Sequence, residues 1–134
     1  MIKLLLGQPG SGKTKDMIKH ANSALETAKG NIVFIGESKE CILEIKHDIR
    51  YINISEFPLD SSTEFIGFLS GLISCNYDIE SIYIDGVLNV YIMTPEEICA
   101  WLDRIKLISE NRNIKFEISI SHEGDTPECF KPYL

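Results

Sequence analysis

Short apolar runs alternate along the chain with longer segments of helical periodicity. Such alternation is typical of βαβ units, in which helices connect parallel strands. The predicted strands are residues 2–6, 32–35, 51–54, 81–85 and 114–120. The predicted helices are residues 13–29, 38–49 and 61–75, and one that follows Thr94. We therefore predict one α/β domain over residues 1–134, with about five mostly parallel strands and helices on both faces of the sheet.

Local signals refine the ends of these elements. Gly30 and Asn31 follow the first helix, where a left-handed residue commonly ends a helix. Ser61 is followed three residues later by a glutamate, so it predicts a helix start with a capping box. Thr94 predicts another, because a proline and then a glutamate follow it. Residues 124–134 contain two prolines and are expected to be irregular.

The last predicted strand differs from the others in its pattern. Residues 114–120 alternate between apolar and polar positions, whereas residues 32–35 are continuously apolar. A continuous run indicates a strand buried on both faces, and alternation indicates a strand with one polar face. The alternation therefore favours an edge position for the last strand.

The clearest chemical signal is residues 7–14, GQPGSGKT, which fit G-x-x-x-x-G-K-[ST]. In this motif glycines let backbone N–H groups surround a phosphate at a helix N-terminus. Lys13 is expected to contact the β- and γ-phosphates, and the Thr14 hydroxyl is expected to ligate Mg²⁺. The residues predicted to hold the phosphates are Gln8, Pro9, Gly10, Ser11, Gly12, Lys13, Thr14 and Lys15.

An acidic residue on another strand completes the predicted magnesium site. Asp85 ends the apolar run that begins at Ser81. A carboxylate at the end of a strand can hold Mg²⁺ through water opposite the loop hydroxyl. An aspartate followed by glycine is also a common turn pair, and that alternative stays open.

These two segments resemble the Walker A and Walker B motifs of P-loop NTPases. The whole chain resembles small stand-alone bacterial P-loop proteins of unassigned role, some of them labelled PilT-like twitching-motility ATPases. The resemblance implies ATP and Mg²⁺ as cofactors. It favours a RecA-like sheet, with the fifth strand between the first and the fourth, which leaves the first strand at an edge unless the tail covers it. In the kinase–GTPase alternative, the Walker B strand lies directly beside the first strand.

The resemblance also indicates where catalytic residues are expected. ATPases of this superfamily commonly carry a glutamate after the Walker B aspartate, but here Gly86 holds that place. In some RecA-like relatives the glutamate ends a neighbouring strand, as Glu37 does here, although Glu37 also fits an exposed loop carboxylate. Ser121, at the end of the last strand, is a candidate sensor of the γ-phosphate, and Ser119 is less well placed. The sequence contains no N-K-x-D motif, so we expect adenine rather than guanine.

The composition of the chain limits which partners and which cellular compartment we expect. The net charge is −7 and the three arginines are scattered, so a nucleic-acid partner is not expected. No apolar run approaches the roughly 20 residues of a membrane span, and a cytoplasmic protein is expected. The four cysteines form no C-x-x-C pair, and we expect them to be thiols in a reducing compartment.

Three functions stay open at this point. The first is a slow or partner-dependent ATPase, whose arginine comes from a protein partner or from a second copy in a homo-oligomer. The second is a small-molecule phosphotransferase, although the chain is short for acceptor-binding insertions. The third is a nucleotide-dependent switch or scaffold with little hydrolysis, which Gly86 favours.

Overall fold

The computed structural model describes residues 1–37 and 39–134, and for Lys39 and Glu40 it describes the backbone alone. Its strands are β1 (Ile2–Gly7), β2 (Asn31–Gly36), β3 (Ile49–Asn53), β4 (Ile79–Ile84) and β5 (Lys115–Ser121). Its helices are α1 (Lys13–Leu25), α2 (Lys39–Glu44), α3 (Ser62–Ser74) and α4 (Pro95–Arg112). Short 3₁₀ segments cover Ile54–Glu56, Val87–Asn89 and Glu128–Tyr133. No helix in the described ranges is long and apolar enough to cross a membrane.

The strands form one parallel sheet in the order β1-β5-β4-β2-β3. The predicted placement of the fifth strand between the first and the fourth is confirmed, and β4 is not beside β1. This order leaves β1 at an edge, where the C-terminal 3₁₀ segment packs against it.

The predicted edge position of the last strand is wrong, because β5 lies inside the sheet. Lys115 at its start is exposed, but Glu117 and Ser119 are buried against other polar groups instead of facing water. Glu117 lies against His20 of α1, whose Nδ1 is 2.8 and 3.0 Å from the two carboxylate oxygens, and Lys3 Nζ is 3.9 Å away. Ser119 is 2% exposed and contacts the residue that follows β4. The alternation thus marks polar contacts within the protein.

Helices cover both faces of the sheet, as predicted. One core joins α3 and α4 to strand residues such as Val33, Ile82 and Ile118. The second core joins α1 to the opposite face through Met17, which is fully buried. Burying a large apolar side chain stabilises the fold by about 1.5–3 kcal/mol, so the second core fixes α1 firmly on the sheet.

Two helix boundaries differ from the prediction. The first helix ends at Leu25 rather than near Lys29, because Glu26 and Thr27 donate to carbonyls three residues back and tighten the last turn. Gly30 has no positive φ, so the predicted left-handed cap is wrong. It is instead a point of close approach, since a Cβ there would lie 3.1 Å from Cβ of Glu80.

The segment predicted as a helix over 38–49 is also shorter. The helix α2 covers Lys39–Glu44, and Ser38 lies outside the described residues. Ile49, predicted to end that helix, instead opens β3 and pairs with Ile32 of β2. Ile49 is buried in the sheet, and this burial explains an apolar residue here as well as a buried helix face would.

The predicted capping boxes are formed to different degrees. Thr94 Oγ1 accepts from the Glu97 backbone N–H at 3.2 Å, and the Glu97 carboxylate accepts from the Thr94 N–H at 3.3 Å. Ser61 accepts from the Glu64 N–H at 3.1 Å, but the Glu64 carboxylate accepts from Asp60 rather than from Ser61. Both residues still begin the predicted helices.

The expectation of four thiols is wrong for two of the cysteines. Cys99 of α4 and Cys129 of the C-terminal 3₁₀ segment form a disulfide, with their Cα atoms 6.1 Å apart. The tail expected to be irregular has no helix or strand over residues 124–127 but forms a 3₁₀ segment over Glu128–Tyr133, in which Phe130 beside the disulfide is fully buried. Cys41 is buried, and Cys75 is an exposed thiol.

Candidate functional site

The predicted site residues meet at the carboxyl edge of the sheet. The glycine-rich loop, residues 7–14, follows β1, and Asp85 follows β4. Glu37 follows β2, and Ser121 ends β5. Because all five strands are parallel, their ends meet at this edge, where α/β proteins commonly bind ligands.

The glycine-rich loop leads directly into α1. Gly12 is the N-cap of α1 and has φ +89°, a conformation that favours glycine. A Cβ at Gly12 would meet nothing within 4 Å, so the requirement is conformational and not steric. The loop from Gln8 to Gly12 is exposed, which leaves the N-terminal end of α1 open to an anion.

Lys13 folds its ammonium group back over the loop. Its Nζ donates to the carbonyl oxygens of Gly7 at 3.1 Å and Gln8 at 2.9 Å, and to Ser11 Oγ at 3.4 Å. These contacts hold a positive charge at the mouth of the loop. Gln8 and Ser11 thus contact Lys13, but neither lines the cavity described below.

Thr14 and Asp85 are joined directly. Thr14 Oγ1 donates to Asp85 Oδ2 at 2.8 Å, and Ser119 Oγ donates to Asp85 Oδ1 at 2.7 Å. The aspartate is 6% exposed, and its backbone N–H donates to the Ile35 carbonyl at 2.8 Å. The carboxylate is therefore held by hydroxyl groups from α1 and β5, and the backbone of Asp85 is held by β2.

This hydroxyl and carboxylate pair suits a hard divalent cation. Mg²⁺ prefers oxygen ligands and usually keeps several waters, so one hydroxyl and one carboxylate beside a phosphate form an adequate protein contribution. Within residues 1–37 and 39–134, no group of three or more His, Cys, Asp or Glu side chains forms a metal site. Thr14 and Asp85 are the residues that could hold Mg²⁺ here, with the remaining ligands coming from phosphate and water.

Ser119 was ranked behind Ser121 from the sequence, and it is Ser119 that contacts Asp85. The sheet register explains this, because Ile84 pairs with Ile118 and the next residues of both strands therefore lie level. Ser121 lines the cavity two residues further along the same strand. The signal that could have found Ser119 is the predicted strand order, because it brings the end of β5 beside the end of β4.

Gly86 directly follows Asp85 after the end of β4. Its φ is +73°, and its N–H donates to Ser119 Oγ at 3.0 Å. A Cβ at Gly86 would lie 3.7 Å from Oε1 of Glu37. Because β2 pairs with β4, the carboxylate of Glu37 reaches the space beside Gly86. Glu37 is exposed and does not line the cavity in this arrangement.

A cavity of about 920 Å³ opens over the loop and continues past Asp85. It includes eight of the predicted site residues, and Gly86, Ser119 and Ile120 also line it. Those eight are Pro9, Gly10, Gly12, Lys13, Thr14, Lys15, Asp85 and Ser121.

The far end of the cavity is an apolar wall that sequence reasoning missed. It consists of Leu88, Tyr91, Ile92, Met93 and Ile98, between β4 and the start of α4. The hydroxyl of Tyr91 donates to the Leu59 carbonyl at 3.3 Å and ties this segment to the chain before α3. The dense apolar run after Asp85 was the available signal.

Tyr51 of β3 is a second residue that the sequence did not single out. Its hydroxyl lies 3.6 Å from the Cβ position of Gly36, one residue before Glu37. Burial, and then the neighbouring Cys41, Asp85 and Glu37, raise the pKa of Tyr51 to about 12. The phenol is therefore neutral at physiological pH.

Comparison with protein-family models gives no match, and comparison with curated protein sequences gives none either.

Proposed function

We propose that the protein binds ATP with Mg²⁺ at residues 7–15 and is a slow or partner-dependent ATPase. The observation that carries this proposal is the 2.8 Å bond from Thr14 Oγ1 to Asp85 Oδ2, next to Lys13 at the start of α1. A phosphate loop requires a lysine, a metal-binding hydroxyl and an acidic partner on another strand, and here they lie together.

The charges at the loop suit a polyphosphate. Lys13 and Lys15 both line the cavity, and the N-terminal end of α1 adds a partial positive charge. The carbonyl and hydroxyl oxygens that now accept from Lys13 stand in for the phosphate oxygens it would contact. Mg²⁺ supplies charge neutralisation for the β- and γ-phosphates when bound, and Thr14 and Asp85 would hold it.

The strand order supports membership of the RecA-like branch of the P-loop NTPases. In this reading β5 separates β1 from β4, and a polar residue of β5, Ser119, contacts the acidic residue after β4. The carboxylate on the strand next to β4 is Glu37, which would orient water for attack on the γ-phosphate. Its nearness to the Cβ position of Gly86 gives a reason for the missing glutamate, since a second carboxylate there would repel the first.

Weak hydrolysis by the isolated chain follows from the charges. The basic residues that line the cavity within the described part of the chain are Lys13 and Lys15. An additional arginine contributes about 10³–10⁵ in rate in related chemistry. A second copy or a protein partner would supply that charge in a faster complex.

Phosphotransfer to a small acceptor is the second candidate, and the apolar wall favours it. Leu88 and Tyr91 of the wall line the same cavity as Lys13 and Asp85, so an acceptor bound against the wall would share this cavity with the phosphates. A water-excluding surface there suits an acceptor with an apolar body better than it suits bulk water.

Calorimetric titration with ATP, ADP, GTP and inorganic phosphate, with and without Mg²⁺, tests the binding. Phosphate release from Mg²⁺-ATP then separates the functions. We expect ATP to bind more tightly than GTP or phosphate, with release above background. Binding without phosphate release or ADP formation would favour the switch. ADP formation that requires an added nucleoside and leaves the phosphate on that nucleoside would favour the phosphotransferase. No binding of any triphosphate would contradict all three.

A further inference from the structure

The disulfide between Cys99 and Cys129 is accessible to reductants. It joins α4 to the C-terminal 3₁₀ segment, Glu128–Tyr133, and closes a loop of 30 residues in sequence separation. Cys129 is an exposed residue and Cys99 is half-buried, so the disulfide lies near the surface, where exchange with a thiolate in solution begins.

A short chain of contacts links this disulfide to the glycine-rich loop. Phe130, next to Cys129, is fully buried, and its ring meets the His122 ring edge-on with 5.9 Å between centroids. The His122 backbone N–H donates to the Gly7 carbonyl oxygen at 3.1 Å. The same oxygen accepts from Lys13 Nζ at 3.1 Å. The tail therefore packs against the residue that orients the carbonyl beneath Lys13.

The tail also covers the open side of β1. This strand pairs with β5 alone and leads into the glycine-rich loop, while Glu128–Tyr133 packs beside it. Ile2 and Leu4 share one core with Phe130. Movement of this segment would thus uncover the strand that carries the loop.

The cellular compartment in which the protein works suggests a regulatory role for the disulfide, in addition to stabilising the fold. A protein that uses ATP works where ATP is abundant, and the thiol systems of the cytosol keep most cysteines reduced. Disulfides that do form there are usually transient and redox-sensing. This step rests on the proposed function.

We propose that Cys99–Cys129 is a redox-sensitive latch on the nucleotide site. In the disulfide form the C-terminal segment is held on β1, and Gly7 keeps Lys13 in place for phosphate binding. Reduction releases the segment, loosens the contact between His122 and Gly7, and weakens nucleotide binding.

The reduction is an ordinary exchange with a dithiol. A thiolate of the dithiol attacks one sulfur, the Cys99–Cys129 bond breaks, and a mixed disulfide forms. The second thiol of the reductant then displaces the protein sulfur. Two electrons and two protons pass to the protein, which gains two thiols, and the dithiol becomes a disulfide.

The test compares Mg²⁺-ATP affinity, by calorimetry, for the oxidised protein and for the same protein treated with dithiothreitol. Thiol alkylation and mass spectrometry establish the redox state at Cys99 and Cys129. We expect reduction to weaken affinity about tenfold, within the usual range of coupling between sites. Cys129→Ser should bind like the reduced protein with or without dithiothreitol. Cys75→Ser, which removes an exposed thiol on another helix end, should respond like the wild type.

Amide hydrogen exchange gives a readout that does not require nucleotide. The His122 amide should exchange faster after reduction, while amides in the middle of β4 should not change. Equal ATP affinity in the two redox states would overturn the latch and leave the proposed function standing. Unfolding of the whole reduced chain, seen by circular dichroism, would also overturn it, because the disulfide would then be a structural staple. Failure of both forms to bind ATP would overturn the proposed function and the latch with it.

Discussion

The Thr14 hydroxyl donates a 2.8 Å hydrogen bond to Oδ2 of Asp85, across 71 residues of sequence. The other oxygen of Asp85 accepts from Ser119 at 2.7 Å. Both oxygens of a nearly buried carboxylate are thus oriented by hydroxyl groups from separate strands or helices. Such an arrangement is preorganised, since a cation that takes Thr14 as a ligand meets a carboxylate already aimed at it.

Asp85→Asn should weaken the dependence of ATP binding on Mg²⁺. The substitution keeps the shape of the side chain and removes its charge. Loss of a residue in the outer shell of a metal typically costs about 10–100-fold in metal affinity, so we expect a decrease of that size. The measurement is calorimetric titration of ATP with Mg²⁺ and with EDTA. If wild type and variant show the same gain from Mg²⁺, Asp85 is only a turn residue.

Ser119→Ala should both destabilise the fold and loosen Asp85. The substitution leaves the Asp85 carboxylate and the Gly86 N–H without the hydroxyl that contacts both. Leaving a buried polar group without its partner costs about 1–3 kcal/mol, measurable by urea denaturation. Ser121→Ala is the matched control, because that half-buried serine on the same strand lies outside the Asp85 contacts among the described residues. Equal stability of the two variants would contradict the role of Ser119.

Glu37→Gln decides between the ATPase and the switch. If Glu37 orients the attacking water, the variant should retain ATP affinity and lose turnover by roughly 10²–10⁴, as for a positioned base. Phosphate release measures the turnover. Glu26→Gln, an exposed carboxylate at the end of α1, should leave turnover unchanged. A variant that keeps pace with the wild type would exclude Glu37 as the catalytic base.

Because of Tyr51, we expect the free energy of unfolding to decrease at high pH. Its pKa is raised to about 12 from an ordinary value of 10.0, so the folded state holds the phenolic proton more tightly than the unfolded state. The stability that this group contributes is complete below pH 10 and is lost as the pH rises through about 12. Urea denaturation across that range should show a smaller decrease for Tyr51→Phe. Parallel decreases in the two proteins would contradict the assigned pKa.

Much of the fold was predictable because apolar periodicity reports burial. The run at 32–35 and the glycine-rich loop correctly placed β2 and the start of α1. The helix ends were less accurate, since the turn at Glu26 and the strand position of Ile49 depend on partners far along the chain. The alternating pattern of β5 was misread for the same reason. Local sequence cannot distinguish a polar face in water from one packed on His20 and Asp85.

The candidate site was also predictable only in part from the sequence. The contact of Thr14 with Asp85 follows from motif spacing and parallel strands, and the structure has it. The place of Tyr51 near Asp85 and the Cys99–Cys129 disulfide arise from segments that meet only in three dimensions. The apolar run after Asp85 does not by itself reveal that it lines the cavity. Cysteine spacing alone cannot identify a pair that is separated by 30 residues. The bound nucleotide and its hydrolysis stay predictions.

Comparison of ATP binding by Lys13→Ala and Lys19→Ala is the most direct test of the account. Lys19 lies exposed further along α1, so Lys19→Ala should unfold at the wild-type temperature. Lys13→Ala should stay folded but be somewhat less stable, because it loses the hydrogen bonds to the loop. Hydrogen bonds from charged groups are worth about 1.5–3 kcal/mol, so Lys13→Ala should weaken Mg²⁺-ATP binding about 10- to 100-fold. Lys19→Ala should bind like the wild type. Equal ATP affinity in all three proteins, each of them folded, would contradict a nucleotide site at residues 7–15.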